Sequence, residues 1–231
     1  MNLNDENYYS TEANRSYWSV SQYKQFSRCS AAAMAELREE YKPKMTKAML
    51  VGSFIDNWMD GTLEQFKKEH PEVFTKRQML RAEFRKADEI IRRIQSDERF
   101  MKYLSGEHQK IMTFEFCGVL WKIKMDSYHP QICIVDLKTM VNFYNIPRFR
   151  YDIQGAIYQE CVRANTGEQL PFYLACVTKE AVTNFDIFQI DQPTLDMALR
   201  EIEGNMPRFI AVKAGLEEPH YCGVCDYCKS V

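Results

Sequence analysis

The chain has 231 residues, of which 45% are hydrophobic and 13% aromatic, which is enough for one sizeable core and excludes a disordered chain. Its 30 basic and 32 acidic residues give a net charge of −2, which offers no bulk electrostatic reason for nucleic-acid binding but leaves room for a local basic groove. The apolar runs are far shorter than the roughly 20 residues of a membrane span. Residues 1–16 lack the apolar centre of a signal peptide, so we expect a cytoplasmic protein.

The N-terminal half of the chain shows helical patterns. Residues 1–18 are predicted to form a partly ordered arm. Three helices are predicted to follow, at about Ser21–Tyr41, Lys47–Asp60 and Lys76–Leu104. Pro43 and Gly61 lie just past the first two, where such residues commonly end helices. The third helix is long and charged, and we interpret its charges as a solvated helix face.

Strand patterns begin near residue 110. Five strands are predicted, at Lys110–Phe116, Val119–Met125, Gln131–Leu137, Phe172–Val177 and Asn184–Ile190. A helix at about Arg148–Ala164 separates the third strand from the fourth, and a last helix over 193–213 is predicted to be irregular near Pro207. This order predicts an α/β fold of mixed α+β type, with a central mixed sheet and helices on its faces.

Neither repeats nor a long linker interrupt the chain, so one domain over residues 1–231 is expected. Its predicted parts are the N-terminal arm (1–18), a helical part (19–104), a sheet with its associated helix (110–190), and a C-terminal helix with a cysteine cluster (191–231).

Two acids and a lysine lie close to the apolar part of the predicted hairpin. Side chains alternate across a strand, so Asp136 and Lys138 share one face, and Asp126 in the preceding strand is able to lie near Asp136. Two carboxylates held together repel each other, and a divalent cation such as Mg²⁺ or Mn²⁺ relieves this repulsion. In such a site Lys138 would orient a water or stabilise charge on a phosphate oxygen.

A simpler interpretation of the same residues is also open. Asp126 and Asp136 would then be solvent-facing charges, with Lys138 as a surface ion-pair partner. The apolar run Ile134–Val135 before Asp136 favours the metal site, because it holds the acid and the lysine in a rigid sheet.

Asp126 followed by Asp136-Leu137-Lys138-Thr139 resembles the D…(D/E)xK signature of the PD-(D/E)XK nuclease superfamily. The form D-hydrophobic-K-T is similar to that of the RecB- and RecE-like branch, notably phage-type exonucleases of the exodeoxyribonuclease VIII kind. The resemblance implies a restriction-endonuclease-like core and a Mg²⁺ or Mn²⁺ site. Both acids and the carbonyl of Leu137 would hold the metal, and Lys138 would assist the attacking water.

Two further segments carry the resemblance. Gln154 and Tyr158 match the family's QxxxY motif, and Tyr151 lies one helical turn earlier; this face is implied to contact DNA beside the lysine. The stretch Val51–Asp56 resembles a helix that usually delivers a histidine to the metal, so Asp56 is a candidate ligand in its place. Glu115 is a further acid proposed to approach the metal. An ordinary helix packing role for Gln154 and Tyr158 is the alternative.

The cysteines fall into two groups. Cys117, Cys133, Cys161 and Cys176 occur singly and are predicted to be small core residues. Cys222, Cys225 and Cys228 form a CxxCxxC run, whose spacing favours zinc or an iron–sulfur cluster. In related nucleases an N-terminal cysteine completes a four-iron cluster, which implies Cys29 as the fourth ligand. His220 is the rival ligand, and zinc or no metal remain alternatives.

The predicted function is a metal-dependent DNA exonuclease that processes ends in phage or prophage recombination. Arg148 and Arg150 are predicted phosphate contacts, and a phage single-strand annealing protein is a candidate partner. Two alternatives stay open, a structure-specific or single-strand endonuclease and a DNA-binding module with a degenerate site. Relatives of the exonuclease type form rings, so an oligomer is an option. A small-molecule hydrolase lacks support, because no Gly-rich phosphate loop and no Ser/His/Asp order occurs.

Overall fold

The computed structural model describes residues 2–231, and its centre is a five-stranded sheet. The strands are β1 (Glu107–Phe116), β2 (Val119–His129), β3 (Cys133–Met140), β4 (Phe172–Thr178) and β5 (Phe185–Gln189). They are ordered as in the chain, with β3 and β4 parallel and the other neighbours antiparallel.

Helices precede, interrupt and follow this sheet. They are α1 (Thr11–Ser16), α2 (Val20–Leu37), α3 (Lys47–Met59), α4 (Leu63–Glu69), α5 (Ala82–Gln95), α6 (Glu98–Leu104), α7 (Tyr151–Thr166), α8 (Gln192–Lys213) and α9 (Asp226–Ser230). Short 3₁₀ segments occur at Pro71–Val73 and Phe143–Phe149. Helix α7 is the crossover that the parallel pair of strands requires. Within residues 2–231, no helix combines the length and hydrophobicity of a membrane span.

Each face of the sheet is covered by its own helical layer. One core contains Ile134, Leu174 and Cys176 from the sheet together with residues of α2, α7 and α8. The other contains Val135, Leu137 and residues of α3, α5 and α6. Alternation along β3 thus sends successive side chains into opposite cores. The predicted mixed sheet with helices on both faces is confirmed.

Some of the observed helices and strands differ from the predicted ones. The long third helix is two helices, because the Asp97 side chain accepts a hydrogen bond from Phe100 N at 2.8 Å and starts α6 there. The last helix continues through Pro207 without a break, and the buried side chains Met206 and Phe209 beside it pack into the core. Strand β2 extends to His129, beyond the predicted end at Met125.

The prediction that the four single cysteines are core residues is correct for three of them. Cys133, Cys161 and Cys176 are buried, whereas Cys117 is only half-buried.

The N-terminal segment is packed against the sheet rather than being a partly ordered arm. Ser10 caps α1, and the side chains of Tyr8, Ala13 and Trp18 are buried. The backbone of Trp18 exchanges hydrogen bonds with β2, at 2.8 Å to Leu120 O and 2.8 Å from Lys122 N. Burial of these aromatic side chains favours the ordered state.

A buried lysine holds this segment. Lys122 is 1% exposed, and its Nζ donates to Tyr8 O and, at 2.8 Å, to Asn14 Oδ1. Burial lowers the pKa of Lys122 to about 8. The lysine therefore satisfies two acceptors that would otherwise be buried without a donor.

Replacing this lysine with methionine is expected to destabilise the protein by about 1–3 kcal/mol, because Tyr8 O and Asn14 Oδ1 lose their donor. Urea unfolding would measure the change. The pKa of Lys122 is about 8 in the folded state, which is lower than the pKa of about 10.4 that a lysine has in the unfolded chain. The wild type therefore gains stability as the pH rises above 8. The loss in Lys122→Met should accordingly be larger at pH 9 than at pH 7. Lys110→Met, at an exposed ion pair, is the control and should change stability by under about 0.5 kcal/mol.

Candidate active site and cysteine cluster

The two candidate acids face each other where β2 and β3 separate. Paired residues end at Ser127 and Val135, so the next opposed positions are Asp126 and Asp136. Here the Leu137 N–H donates to Asp126 Oδ2 at 2.9 Å. The side chain of Asp126 thus replaces a backbone carbonyl as acceptor, which fixes the carboxylate and opens a gap between the strands.

Asp136 is the most enclosed group of the site, with 1% of its surface exposed. Its Oδ1 accepts a hydrogen bond from Gln154 Nε2 at 2.7 Å. Its Oδ2 is ion-paired with the Lys138 ammonium and has no further hydrogen-bond partner within the described residues. A buried carboxylate oxygen in this state has coordination capacity left for a cation.

Helix α7 brings the Gln–Tyr motif to this group. Gly155 makes the close approach of α7 feasible, because a Cβ there would lie 2.6 Å from Phe172 Cδ1 and 2.8 Å from Leu195 Cδ2. Tyr158 donates its hydroxyl to Lys124 O at 2.8 Å. Tyr151 lies with its ring centre 5.7 Å from Lys138 Nζ.

The electrostatics show an excess of buried negative charge. The pKa of Asp126 is raised well above its usual range, first by burial and then by the charge of Asp136. Burial alone would lower the pKa of Lys138, but the charges of Asp136 and Asp126 outweigh it and raise that pKa. One lysine therefore does not balance the two acids, and a divalent cation would.

Asp56 on α3 supplies a third carboxylate near this group. Its pKa is raised to about 6, first by desolvation and further by Asp136, while Lys138 opposes the rise. The carbonyl of Leu137 is a fourth candidate ligand. Within a strand the N–H and C=O of one residue point to the same side, so this carbonyl faces the gap that holds Asp126.

Carboxylate and carbonyl oxygens are the donor set that suits Mg²⁺ or Mn²⁺. Three observations fit such an ion: the buried Asp136 Oδ2 has no described partner besides the Lys138 ammonium, Asp126 and Asp136 repel each other, and Asp56 lies near them.

Two predicted site residues lie elsewhere or have other partners. Glu115 pairs with Leu120, whereas Met125, the neighbour of Asp126, pairs with Lys110. Five residues of strand separate Lys110 from Glu115, which is roughly 17 Å. The structure therefore does not bring Glu115 to the metal candidates. Arg150 is bound to Asp152 at 3.0 Å and to Glu201 at 2.8 Å, so its guanidinium is already occupied. Arg148 is exposed.

Other residues near the site were not predicted. Lys24 on α2 has a pKa lowered to about 8, by burial and then by Lys138, and it donates to Phe149 O at 2.8 Å. With Lys124 and Tyr9 it lines a cavity of about 310 Å³ that also includes Lys138. These residues come from distant parts of the chain, and no local pattern marks them.

The four candidate cysteines come together at one point. The Sγ atoms of Cys29, Cys222, Cys225 and Cys228 all lie within 4.8 Å of one another. Cys29 departs from helical geometry inside α2, with φ −163° and ψ 95°, and Cys228 Sγ is 3.5 Å from its Sγ. His220, the rival ligand, instead presents its backbone carbonyl 3.5 Å from Cys29 Sγ.

One thiol of this cluster is already biased towards the thiolate. Hydrogen bonds from the backbone N–H groups of Val224 and Cys225 lower the pKa of Cys222 to about 6. Burial raises the pKa of Cys228 to about 11, so the thiols do not share this bias, and the convergence of the four Sγ atoms is what makes the cluster a candidate metal site.

A mixed sheet that separates at two facing aspartates beside a lysine is the arrangement of the PD-(D/E)XK nucleases, and the chain is a member of that superfamily. It belongs to the family described as "PDDEXK-like domain of unknown function (DUF3799)", whose model matches residues 19–231.

A solved structure agrees with this assignment. The chain is similar to a crystal structure from Eubacterium rectale named "Putative exonuclease", with 46% identity and a TM-score of 0.97 over 100% of this chain and 93% of that one. The crystal structure of SSO0001 matches more weakly, with 15% identity and a TM-score of 0.37 over 90% and 91% of the two chains. The comparison with curated proteins gave no match.

Proposed function

We propose that this nuclease is a Mg²⁺- or Mn²⁺-dependent DNA exonuclease that hydrolyses phosphodiester bonds. The observation that carries the proposal is the buried Asp136 Oδ2, which faces Asp126 and has the Lys138 ammonium as its one partner within the described residues. The exonuclease name of the 46% identical structure supports the choice of exonuclease over endonuclease.

The proposed roles follow from the contacts of each side chain. Asp126 and Asp136, with Asp56 and the Leu137 carbonyl, would hold the cation. When bound, Mg²⁺ or Mn²⁺ supplies Lewis acidity towards a phosphate and lowers the pKa of a water. Lys138, whose pKa is raised by the acids, keeps its proton and offers positive charge to a phosphate oxygen.

The motif residues on α7 have positioning roles in this proposal. Gln154 holds Asp136 Oδ1 in place at 2.7 Å. Tyr158, through Lys124 O, fixes α7 against β2, and the ring of Tyr151 flanks Lys138. These three side chains shape the side of the cleft that a DNA strand would contact.

The test compares DNA with and without ends. With Mg²⁺ present, we expect degradation of end-labelled linear DNA and none of covalently closed circular DNA of the same sequence. Cleavage of both at similar rates would support the endonuclease alternative. If neither is cleaved, the degenerate binding module is favoured.

The cysteine cluster is proposed to hold a four-iron, four-sulfur cluster, with Zn²⁺ as the alternative. Four thiols at this spacing suit either occupant. The role is structural, because the cluster joins α2 to the C-terminal residues. The phage or prophage setting, the annealing partner and an oligomeric form stay predictions.

Two arginines of the proposed DNA surface are expected to differ. Arg148→Ala should weaken DNA binding and reduce the slope of log affinity against log salt by about 1, because one phosphate contact is lost. Arg150→Ala should leave the slope unchanged and destabilise the fold by about 1 kcal/mol, because its ion pairs with Asp152 and Glu201 are lost. Salt titrations of binding and urea unfolding measure the two effects. Equal slopes for both variants would contradict the assignment.

A further inference from the structure

The segment from Asp5 to Tyr9 is fixed against β2 beside the proposed active site. Lys124 Nζ is 2.9 Å from Asp5 Oδ1, and Lys122 Nζ donates to Tyr8 O. Tyr8 itself is only 6% exposed. The contacts of Asp5 and Tyr8 therefore fix the backbone on the N-terminal side of Tyr9.

Tyr9 differs from its neighbour because 73% of its surface is exposed. Its ring meets the Tyr8 ring edge-on, with centres 4.9 Å apart and an angle of 82° between the planes. Lys124 Nζ is 5.6 Å from the centre of the Tyr9 ring. Single exposed aromatic residues are common, but this one is fixed at the mouth of a charged cleft.

Tyr9 faces the proposed active site. It lines the same cavity as Lys138 and Gln154, whose side chains both contact Asp136. The ring therefore lies beside residues that hold one of the proposed metal ligands.

The cavity between this segment and the sheet has the chemistry of a nucleotide site. Its volume is about 310 Å³, and its lining includes Tyr9, Lys24, Lys124 and Lys138. Lysines bind phosphate, and exposed aromatic rings stack on bases of any sequence. The volume is at the lower end of the roughly 300–1,000 Å³ of small-molecule sites, which is room for a single nucleotide.

We propose that Tyr9 stacks on a nucleobase of a single DNA strand next to the phosphate that is cleaved, and that residues 5–9 form one wall of a channel for unpaired DNA. The inference rests on the proposed nuclease function and adds its substrate class. In a duplex the bases stack on one another, so a strand must be unpaired before Tyr9 reaches a base.

The test uses Asp136→Asn as an inactive background, with Mg²⁺ present and a single-stranded oligonucleotide that carries 2-aminopurine near its end. Stacking on Tyr9 should quench the 2-aminopurine fluorescence. Tyr9→Leu in this background should lose the quenching and weaken binding roughly tenfold. Tyr9→Phe keeps a ring and should retain the quenching. Met197→Ala, an exposed change on α8, is the surface control.

Three results would overturn the inference. They are equal quenching by Tyr9→Leu and Tyr9→Phe, equal binding of a blunt duplex and the single strand, and no binding of the single strand by the background protein. Cleavage by the wild type is measured separately. If the wild type and Tyr9→Leu cleave single-stranded DNA at the same rate, this inference is refuted and the proposed function is retained. Quenching without any cleavage refutes the nuclease activity and supports the Tyr9 contact.

Discussion

Asp126→Asn is expected to lower the rate of DNA cleavage by on the order of 10³-fold while leaving the metal-free protein at least as stable as the wild type. Loss of a metal ligand removes several kcal/mol of transition-state stabilisation, and about 1.4 kcal/mol is a tenfold change in rate. Asparagine keeps an oxygen that accepts the Leu137 N–H, so the local geometry is retained. Initial cleavage rates and thermal unfolding without metal measure the two effects.

The stability expectation follows from the sign of the pKa shift. Folding raises the pKa of Asp126, so the folded state binds its proton more tightly than the unfolded chain does. Stability contributed by this group therefore falls as the pH rises above its unfolded pKa of about 3.9. At neutral pH the amide removes the repulsion from Asp136.

Magnesium supplies the control for this variant. Mg²⁺ should raise the melting temperature of the wild type, because a ligand that binds the folded state stabilises it, and should raise that of Asp126→Asn much less. Asp88→Asn, which alters an acid of an ion pair on α5, should change neither the rate nor the response to Mg²⁺. A variant Asp126→Asn with wild-type activity would refute the metal site.

Cys29→Ser is expected to remove the metal of the cysteine cluster and lower the melting temperature by roughly 8–16 °C. A metal present at about 1,000 times its dissociation constant stabilises the folded state by about 4 kcal/mol. For a chain of 150–250 residues, 1 kcal/mol shifts the melting temperature by about 2–4 °C. Iron, acid-labile sulfide and zinc contents, measured with the melting temperature, test the expectation.

The metal analysis also decides between the two proposed occupants. Four irons and four sulfides per chain support the iron–sulfur cluster, and one zinc supports the alternative. Cys117→Ser, at a lone half-buried cysteine, is the matched control and should keep the full metal content. Wild-type protein purified without oxygen that contains neither metal would contradict the proposal.

The central part of the site was predictable because its residues are neighbours in a simple geometry. Alternation along β3 places Asp136 and Lys138 on one face, and a hairpin places Asp126 opposite. The spacing of four residues puts Gln154 and Tyr158 on one side of α7. The sheet and its flanking helices followed from the order of predicted elements.

The rest depends on contacts between distant parts of the chain. Lys24 reaches the site only because α2 packs beside α7, and nothing in its local sequence marks it. Arg150 was expected at DNA, but its partner Glu201 lies 51 residues away and is brought near by α8. The third helix was predicted too long because periodicity is insensitive to the cap that Asp97 forms.

The anchoring of the N-terminal segment has a consequence for where a working fragment begins. The family model starts at residue 19, yet Lys122 and Lys124 bind groups of residues 5, 8 and 14. A truncation at that boundary would expose two ammonium groups of β2 and strip one side from the cleft. The limits of a sequence family and the limits of a stable folding unit therefore differ in this protein.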